Sequence, residues 1–217
     1  SYSTDRTLLL VQRFNPRIIQ HEYENSAAQK NWAIPQASHP WILIIDSDER
    51  ITPELKQEIE NALSAGTDHS AFRIFRRNHF LGQEIRHCGW DRDDVTRLFR
   101  KDKGRYQDRH VHADMVIDGS VGVLKGKLLH FTIRSFDAYM QKFNRYSSWA
   151  ARDRARKTGK VRWYHVLLRP FGRFLRQYVL KRGFLDGLPG LILCILASFS
   201  VFMKYAKLWE MQIKNEI

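Results

Sequence analysis

The apolar and polar positions of the first 135 residues alternate between strand-like runs and helical periods. Residues 41–45 form a continuous apolar run with a β-branched bias. Such a run is typical of a fully buried strand, which we place centrally in a parallel sheet. Further strand-like stretches lie at residues 8–11, 17–19, 71–75, 94–100 and 121–131, with a hairpin expected around Gly82. This order predicts an α/β sheet that antiparallel strands extend.

Helical segments are marked by start and stop signals. Residues 26–35 predict a short helix for which Ser26 is available as the N-cap. A second helix is predicted after Thr52, which is a good N-cap, with Pro53 in its first turn and Gly66 after its end. Beyond residue 135, aromatic residues recur every three or four positions and predict a helix with an aromatic face.

Two acids stand at the carboxyl end of the predicted strand 41–45. Asp46 and Asp48 are one residue apart in the segment WILIIDSDERITPEL. Ligands of open α/β sheets bind beyond the carboxyl ends of strands, and carboxylates suit Mg²⁺ or Mn²⁺. One interpretation is therefore a metal site that neutralises a diphosphate. The alternative is that the acids only lead into the next helix, because negative charge is favourable near a helix N-terminus.

The chain is strongly basic, and the charge is unevenly distributed. Its 217 residues include 36 basic and 23 acidic side chains, for a net charge of +13. Residues 151–217 hold 14 of the basic and only 4 of the acidic side chains. A balance of this kind predicts an anionic partner, which is a nucleic acid, a membrane surface or a phosphorylated substrate. An apolar content of 43% argues against a disordered chain.

The C-terminal third joins a basic, aromatic stretch to an uncharged one. Residues 152–182 contain 11 basic side chains and one acid, which fits a lipid-surface helix or an RNA-binding helix. Residues 187–203 contain no charge, which favours the membrane. At 17 residues this run is at the short limit for a spanning helix, so a shallowly embedded or re-entrant helix is equally consistent. A buried core helix or a subunit interface is the alternative.

Several segments resemble inverting glycosyltransferases of family 2, which share the GT-A fold. The segment around Asp46 and Asp48 resembles the D-x-D segment of that family. Other resembling segments are STDRT, AAQKNWAI and RHCGWDRDDVTRLFRK, at residues 3–7, 27–34 and 86–101. Three later segments resemble a subgroup near lipopolysaccharide-core glucosyltransferases, namely IDGSVGVLKGKLLHF, FNRYSSWAARD and RPFGRFLRQYVLKRGFLDGLPGL. The resemblance implies a GT-A, Rossmann-like mixed sheet followed by a mostly helical, membrane-associated C-terminal region.

The resemblance implies roles for the acids and for other polar residues. Asp48 is the expected main ligand to Mg²⁺ or Mn²⁺, and Asp46 is expected to contact the ribose or to support the metal. His130 is a further candidate ligand to the metal or the diphosphate, with a satisfied core histidine as the alternative. The ion would stabilise a leaving UDP. Further candidates for binding the nucleotide-sugar are Asp5, Gln29, Lys30, Asn31 and Arg97. Solvated surface positions are the alternatives for Lys30 and Arg97.

The sequence departs from the family pattern in two places. An inverting transfer needs a group that takes the proton of the acceptor hydroxyl. Where relatives often read V-H-E, this chain reads RHVHADM, with Ala113 at the position of the glutamate. Asp114 is therefore the candidate base, and His112 is the second candidate. The family's first strand and nucleotide-binding turn are not found before Ser1, so we expect a chain that is truncated at its N-terminus or is not catalytic.

These inferences combine into one expected organisation. Residues 1–135 are expected to form an N-terminally incomplete GT-A catalytic domain, residues 136–182 a basic amphipathic region, and residues 183–217 an apolar membrane-associated segment. The expected function is transfer of a sugar, for instance from UDP-glucose, to a lipid-linked or lipopolysaccharide-core acceptor. The expected location is the cytoplasmic face of the inner membrane, as a peripheral or monotopic protein without a nucleic-acid partner. The alternatives are a nucleic-acid-binding protein and a degenerate, non-catalytic glycosyltransferase scaffold.

Overall fold

The computed structural model describes residues 2–108 and 113–214. Its α-helices are α1 (Thr7–Gln12), α2 (Ser26–Ala33), α3 (Pro53–Ser64), α4 (Phe136–Ala155), α5 (Trp163–Leu175) and α6 (Gly187–Ile213). Its strands are β1 (Trp41–Leu43), β2 (Glu49–Ile51), β3 (Ala71–Phe80), β4 (Gln83–Glu84), β5 (Asp94–Arg100), β6 (Gly104–Tyr106), β7 (Met115–Ile117) and β8 (Val121–Ile133). Short 3₁₀ turns cover Ile34–Gln36 and Gly183–Asp186, and a π-helical stretch, Arg176–Leu180, continues α5.

The strands form a six-stranded sheet and a separate two-stranded ribbon. The order in the large sheet is β1-β5-β3-β8-β2, with β4 paired to β3, and β6 and β7 make the ribbon. The pairs β1–β5, β2–β8, β3–β4 and β6–β7 are antiparallel. Together with the helices, this confirms the predicted α/β fold with antiparallel strands and a helical C-terminal region.

The place of β1 in the sheet corrects one prediction. The strand 41–45 was expected at the centre of a parallel sheet, but β1 ends the strand order and pairs antiparallel with β5. Only Trp41–Leu43 is strand, and its three residues are half-buried. A continuous apolar run indicates that both faces of a strand are covered. It does not indicate whether the strand pairs on one edge or on both, or in which direction. The prediction of a central position in a parallel sheet was wrong for this reason.

Two other local predictions also need correction. The apolar run 8–11 lies in helix α1, and residues 17–19 have no regular secondary structure. An apolar run of four residues does not distinguish a strand from a helical turn. Helix α2 is capped one residue earlier than expected, because the side chain of Asn25 accepts a hydrogen bond from the backbone N–H of Ala28 at 2.9 Å.

The helix after the two acids forms as predicted and lies close against β8. The hydroxyl of Thr52 accepts from the backbone N–H of Leu55 at 3.3 Å, and Gly66 follows the helix with a φ of +75°. Leu55 is fully buried. A Cβ placed on Gly126 of β8 would lie 2.5 Å from the Cα of Leu55. The glycine therefore allows the first turn of α3 to approach β8 at backbone distance.

The other strand and turn predictions are confirmed. β3 includes the alternating stretch 71–75 and runs on to Phe80. It forms a hairpin with β4 around Gly82, which has a φ of +82°. β5 and β8 include the predicted stretches 94–100 and 121–131, and α4 begins at Ser135, whose side chain caps it.

The chain divides into two compact units. The first contains Ser1–Ile45, Gln57–Ile74 and Val95–Lys125, and the second contains Asp46–Lys56, Phe75–Asp94 and Gly126–Ile217. One cluster of buried residues in the first unit contains Ile34, Ala71 and Phe99. Partly buried side chains that pack against it are Ile42, Ile44, Tyr106, Met115 and Ile117.

The second unit joins strand residues to the C-terminal helices in one core. One cluster consists of Phe80, Ile85, Cys88, Ile133, Leu193 and Cys194. A second cluster contains Ala151, Val161, Tyr205 and Leu208 from α4, the following loop and α6. The carboxylate of Asp186, just before α6, accepts from the backbone N–H groups of Arg86 and His87 at 3.1 and 2.8 Å. These two hydrogen bonds connect the loop after β4 to the start of α6.

Candidate active site

The turn that carries Asp46 and Asp48 lies between β1 and β2 and is held by Glu49. The backbone N–H of Glu49 donates to the carbonyl of Asp46 at 2.9 Å, and this closes the turn. The carboxylate of Glu49 accepts from the backbone N–H of Asp46 at 3.0 Å. Its side chain is fully buried. The third acid of the cluster therefore stabilises the turn, while Asp46 and Asp48 keep partly exposed side chains.

Pairing between β2 and β8 brings His130 next to Asp48. Glu49 is the register partner of His130, and the backbone N–H of Phe131 donates to the carbonyl of Asp48 at 2.8 Å. Nε2 of His130 lies 3.8 Å from Oδ2 of Asp48, which is an ion-pair distance and too long for a hydrogen bond. The side chains of both residues are largely shielded from solvent, with exposed fractions of 14% and 28%.

The other ring nitrogen of His130 joins a chain of hydrogen bonds. Nδ1 of His130 lies 2.7 Å from Oδ1 of Asn78 and 3.2 Å from the hydroxyl of Thr132. The amide nitrogen of Asn78 donates to Oδ2 of Asp93 at 2.7 Å, and Arg76 donates to Oδ1 of Asp93 at 2.6 Å. Asn78 is 2% exposed. A buried polar chain thus connects the candidate ligand to an arginine–aspartate pair.

The same arginine also reaches Glu49. The second terminal nitrogen of Arg76 lies 3.6 Å from Oε1 of Glu49. We call the five residues Glu49, Arg76, Asp93, Asn78 and His130 the polar arch. One end of the arch contacts the backbone of Asp46, and the other faces the carboxylate of Asp48.

Positive charge surrounds Asp48. When its ring is protonated, His130 holds the pKa of the Asp48 carboxyl below its ordinary value, against the opposing effect of burial, and the positive charge of Lys142 adds to the lowering. The guanidinium of Arg134 donates to the carbonyl of Ser47 at 3.3 Å. The turn therefore carries an ionised carboxylate with two cationic side chains, Arg134 and Lys142, nearby.

The donor atoms at this turn fit a divalent cation with few protein ligands. In the described residues, no three His, Cys, Asp or Glu side chains come together as a metal-binding group. Asp48 and His130 offer a carboxylate oxygen and an imidazole nitrogen that face each other across 3.8 Å. Mg²⁺ and similar ions often use one or two protein ligands and complete their shell with water and substrate phosphate. The donor set is compatible with that arrangement.

The predicted nucleotide-sugar residues Asp5, Gln29, Lys30, Asn31 and Arg97 all lie in the first unit. A hydrogen bond with the side chain of Thr7 holds the pKa of Asp5 below its ordinary value, and the backbone N–H of Thr7, which donates to the Asp5 carboxylate at 2.9 Å, adds to the lowering. Arg97 is 4% exposed, so the surface alternative for this residue is wrong. Gln29 is half-buried on α2.

Lys30 and Asn31 meet at Tyr106 of β6. The ammonium of Lys30 lies 5.3 Å from the centre of the Tyr106 ring. The side-chain amide of Asn31 accepts from the backbone N–H of Tyr106 and donates to its carbonyl, both at 2.9 Å. A cavity of about 750 Å³ adjoins this group, and its basic lining residues are Lys101, Lys103 and Arg105.

Of the two candidate bases, Asp114 lies within the described residues. Asp114 lies just before β7 with an exposed side chain, and its backbone carbonyl accepts from the N–H of Gln107 at 3.0 Å. His112 lies outside the described residues. The assignment of either residue as the base therefore stays a prediction.

Sequence reasoning missed Arg76, Asn78 and Asp93. One signal was present, because β3 alternates and places Phe72, Ile74, Arg76, Asn78 and Phe80 on one face. Two polar residues on an otherwise apolar face indicate a buried polar site. Their partner Asp93 gave no comparable signal, since it stands in the acidic loop segment DRDD.

Comparison with known proteins gives one family match and several similar relatives. The family model described as "Glycosyl transferase family 2" matches residues 1–125. The lipopolysaccharide core biosynthesis glycosyltransferase LpsC of Rhizobium meliloti (strain 1021) is 31% identical over 222 residues, which cover 97% of this chain and 80% of LpsC. The glycosyltransferase RP128 of Rickettsia prowazekii (strain Madrid E) is 24% identical and is matched over 99% of this chain and 77% of its own length.

Proposed function

The chain belongs to glycosyltransferase family 2, and we propose that it transfers a sugar from a nucleotide-sugar to a lipid-linked or lipopolysaccharide-core acceptor with inversion at the anomeric carbon. That it is a glycosyltransferase follows from the family match and from the extent of the match to LpsC. The observation that carries the finer proposal is the pairing of Asp48 with His130 at the turn after β1. UDP-glucose is the donor that we propose to test first.

The leaving diphosphate is the group that this turn is suited to receive. When bound, Mg²⁺ or Mn²⁺ would supply positive charge that offsets the charge developing on the diphosphate. Asp48 and His130 would hold the ion, and Asp46 would support it or contact the ribose. Arg134 donates to the carbonyl of Ser47 in this turn, and the charge of Lys142 lowers the pKa of Asp48, so both cationic side chains are near enough to attract a phosphate there.

Inversion requires a single displacement at the anomeric carbon. The acceptor oxygen forms a bond to this carbon while the bond from the carbon to the diphosphate oxygen breaks. The proton of the acceptor hydroxyl passes to a base, for which we propose Asp114. Its exposed carboxylate is accessible to an acceptor, and a positioned carboxylate contributes about 10²–10⁴-fold to such a step.

Membrane association would bring the enzyme to a lipid-linked acceptor. The segment Gly183–Ile213 is long and apolar enough to cross a membrane, and its most apolar 18-residue window has a mean hydropathy of 1.9 and is 17% buried. Helix α5 exposes Trp163, Leu167, Leu168 and Phe171, with exposed fractions of 67%, 61%, 56% and 59%. Basic residues lie on the same helix, as expected for contact with anionic lipid at the cytoplasmic leaflet.

The test is a transfer assay with the full chain, a panel of nucleotide-sugars and a lipopolysaccharide-core acceptor. We expect release of UDP that requires Mg²⁺ or Mn²⁺ and stops with EDTA. Asp48→Asn is expected to lower kcat by about 10²–10³-fold, as when one electrostatic group is lost from an active site. Asp91→Asn is the matched control, because Asp91 is an exposed acid 3.9 Å from Arg92. Equal activity of the Asp48 variant and the wild type would overturn the proposal.

A further inference from the structure

We propose that Asn78 and Asp93 are positioning residues that fix His130 in the Nδ1–H tautomer, so that the lone pair of Nε2 points at Asp48. This inference concerns residues that the family resemblance does not assign. It rests on the proposed function for its catalytic meaning, since it describes how one end of the candidate metal site is prepared. The tautomer itself is a property of the protein alone and is measurable without substrate or metal.

The direction of each hydrogen bond follows from the chemistry of the groups. An ionised carboxylate only accepts, so Asp93 receives hydrogen bonds from the guanidinium of Arg76 at 2.6 Å and from the amide of Asn78 at 2.7 Å. The amide of Asn78 must therefore turn its NH₂ group towards Asp93. Its oxygen then faces Nδ1 of His130 at 2.7 Å. Because an amide oxygen also only accepts, Nδ1 must carry the proton.

Burial keeps this orientation in place. Asn78 is 2% exposed, and its NH₂ group also lies 3.5 Å from the carbonyl of Trp90. A flip of the amide would set its oxygen against the Asp93 carboxylate and its NH₂ group against Nδ1–H. The flip would leave buried polar groups unsatisfied, which costs about 1–3 kcal/mol for each group. The hydroxyl of Thr132, 3.2 Å from Nδ1, can accept from the same N–H, so it is compatible with this tautomer.

The consequence appears at the opposite ring nitrogen. Nε2 of the neutral ring presents a lone pair across 3.8 Å to Oδ2 of Asp48. Two electron-rich atoms that face each other form a site for a cation, and a histidine ligand binds a metal through its unprotonated nitrogen. Histidines that bind metals typically donate their other N–H to a carboxylate or a carbonyl, which orients the ring. Here an asparagine takes that place, and Asp93 orients the asparagine.

Arg76 extends the same support to Asp46. Its guanidinium bonds to Asp93 and lies 3.6 Å from Glu49, whose carboxylate accepts from the backbone N–H of Asp46. The guanidinium of Arg76 therefore connects the two ends of the polar arch, the end that stabilises the turn at Asp46 and the end that orients the His130 ring beside Asp48. We expect the loss of Asp93 to disturb both ends and the loss of Asn78 to disturb only His130.

Two measurements on the metal-free full chain test the proposal. Long-range ¹H–¹⁵N correlation spectra of histidine-labelled protein at pH 8 report which ring nitrogen carries the proton, with His130→Gln used to assign the signal. We expect Nδ1–H for His130 in the wild type and a mixture or the other tautomer in Asn78→Leu. Manganese titrations followed by EPR are expected to show an affinity about 10–100-fold weaker for Asn78→Leu and Asp93→Asn.

Matched control variants distinguish a specific effect on the orientation of His130 from a general loss of protein stability. Asn61→Leu changes an exposed asparagine on α3 that bonds to Gln57, and Asp91→Asn changes an exposed acid in the same loop as Asp93. Both are expected to keep the wild-type tautomer and manganese affinity. If Asn78→Leu does not fold by circular dichroism, Asp93→Asn and the wild-type spectrum still decide the matter.

The outcomes distinguish this proposal from the proposed function. An Nε2–H tautomer in the wild type overturns the positioning role even if sugar transfer is observed. An Nδ1–H tautomer that depends on Asn78, in a protein that binds no manganese and transfers no sugar, supports the positioning role and overturns the proposed function. Unchanged tautomer and unchanged manganese affinity in both folded variants would also reject the positioning role.

Discussion

Nε2 of His130 lies 3.8 Å from Oδ2 of Asp48 because β2 and β8 pair antiparallel, with Glu49 opposite His130. The acid and the histidine are far apart in the sequence and belong to different strands. The register of one short strand, Glu49–Ile51, therefore determines whether the two side chains face each other. A shift of one residue would turn His130 to the other face of the sheet.

Because α3 lies so close to β8, one added methyl group at their contact is expected to lower the free energy of unfolding markedly. Gly126→Ala places a Cβ 2.5 Å from the Cα of Leu55, and backbone cannot yield as a flexible side chain does. We expect the free energy of unfolding to fall by about 1–3 kcal/mol, measured by urea denaturation.

Gly172→Ala is the matched control for this substitution. Gly172 lies within α5, and no atom approaches its added Cβ within 4 Å. Alanine has the higher helix propensity, so this variant is expected to be neutral or more stable by up to about 1 kcal/mol. Equal stability of the two variants would contradict the close packing of α3 on β8.

The buried ring of His165 predicts a loss of stability on acidification. Burial lowers the pKa of His165 below its ordinary value of 6.5, and the charges of Arg169, Arg154 and Arg162 lower it further. The unfolded chain therefore binds the proton more readily than the folded chain. The stabilising contribution is complete above pH 6.5 and declines as the pH falls from there towards the folded-state pKa.

Comparison with His165→Gln isolates this contribution. Glutamine retains an acceptor for the backbone N–H of Arg162, which His165 Nδ1 receives at 3.0 Å, but it does not titrate. We expect the urea midpoint of the wild type to fall more steeply than that of the variant between pH 7.5 and 5.5. Parallel pH profiles would show that His165 is not the titrating group.

The exposed apolar side chains of α5 predict binding to anionic vesicles. Leu167→Ser with Phe171→Ser removes two large exposed apolar groups from α5, each worth about 1.5–3 kcal/mol when buried. We expect the double variant to require at least tenfold more lipid for half-maximal co-sedimentation at high salt.

A control pair of exposed apolar residues lies on β7 and β8. Val116→Ser with Val123→Ser removes two exposed apolar side chains from the first unit, with exposed fractions of 54% and 48%. This variant is expected to bind vesicles like the wild type. If the wild type itself remains in the supernatant at low salt, the membrane proposal fails and the apolar helix must serve as a core or an interface.

The proposed base predicts a specific kinetic signature. Asp114→Asn is expected to lower kcat by about 10²–10⁴-fold and to leave the affinity for the nucleotide-sugar unchanged, because the base acts on the acceptor. Ala113→Glu in the Asp114→Asn background tests whether a carboxylate at the neighbouring position restores activity. Asp108→Asn, an exposed acid of the same segment, is the control. Full activity of Asp114→Asn would remove it as the base.

Local signals predicted the parts of the fold that local interactions determine. Thr52, Pro53 and Gly66 mark the ends of α3 in the sequence, because caps and turns depend on the residues that form them. The position of β1 at the end of the sheet was not predictable from its own residues. Strand order depends on which distant segments compete for the same hydrogen bonds. An apolar run does not identify these segments.

The candidate site divides in the same way. Asp46 and Asp48 were identified from their spacing and from the resemblance. His130 was a candidate ligand in the segment LLHF, with a satisfied core histidine as the alternative because an apolar run precedes it. Asn78 and Asp93 gain their roles only from contacts between β3, β8 and the loop before β5. Polar side chains on the inner face of a strand are a general sign of such a network, and Arg76 belongs to the same pattern.

The hydrogen bonds between Asp186 and the loop after β4 have a consequence for the preparation of the enzyme. Asp186 directly precedes α6, and Leu193 and Cys194 of α6 complete the core that includes Phe80 and Ile85. Deletion of the C-terminal helix to obtain a protein that is easier to purify would therefore open this core to water. The whole chain is therefore the better starting point for crystals and for reliable kinetics.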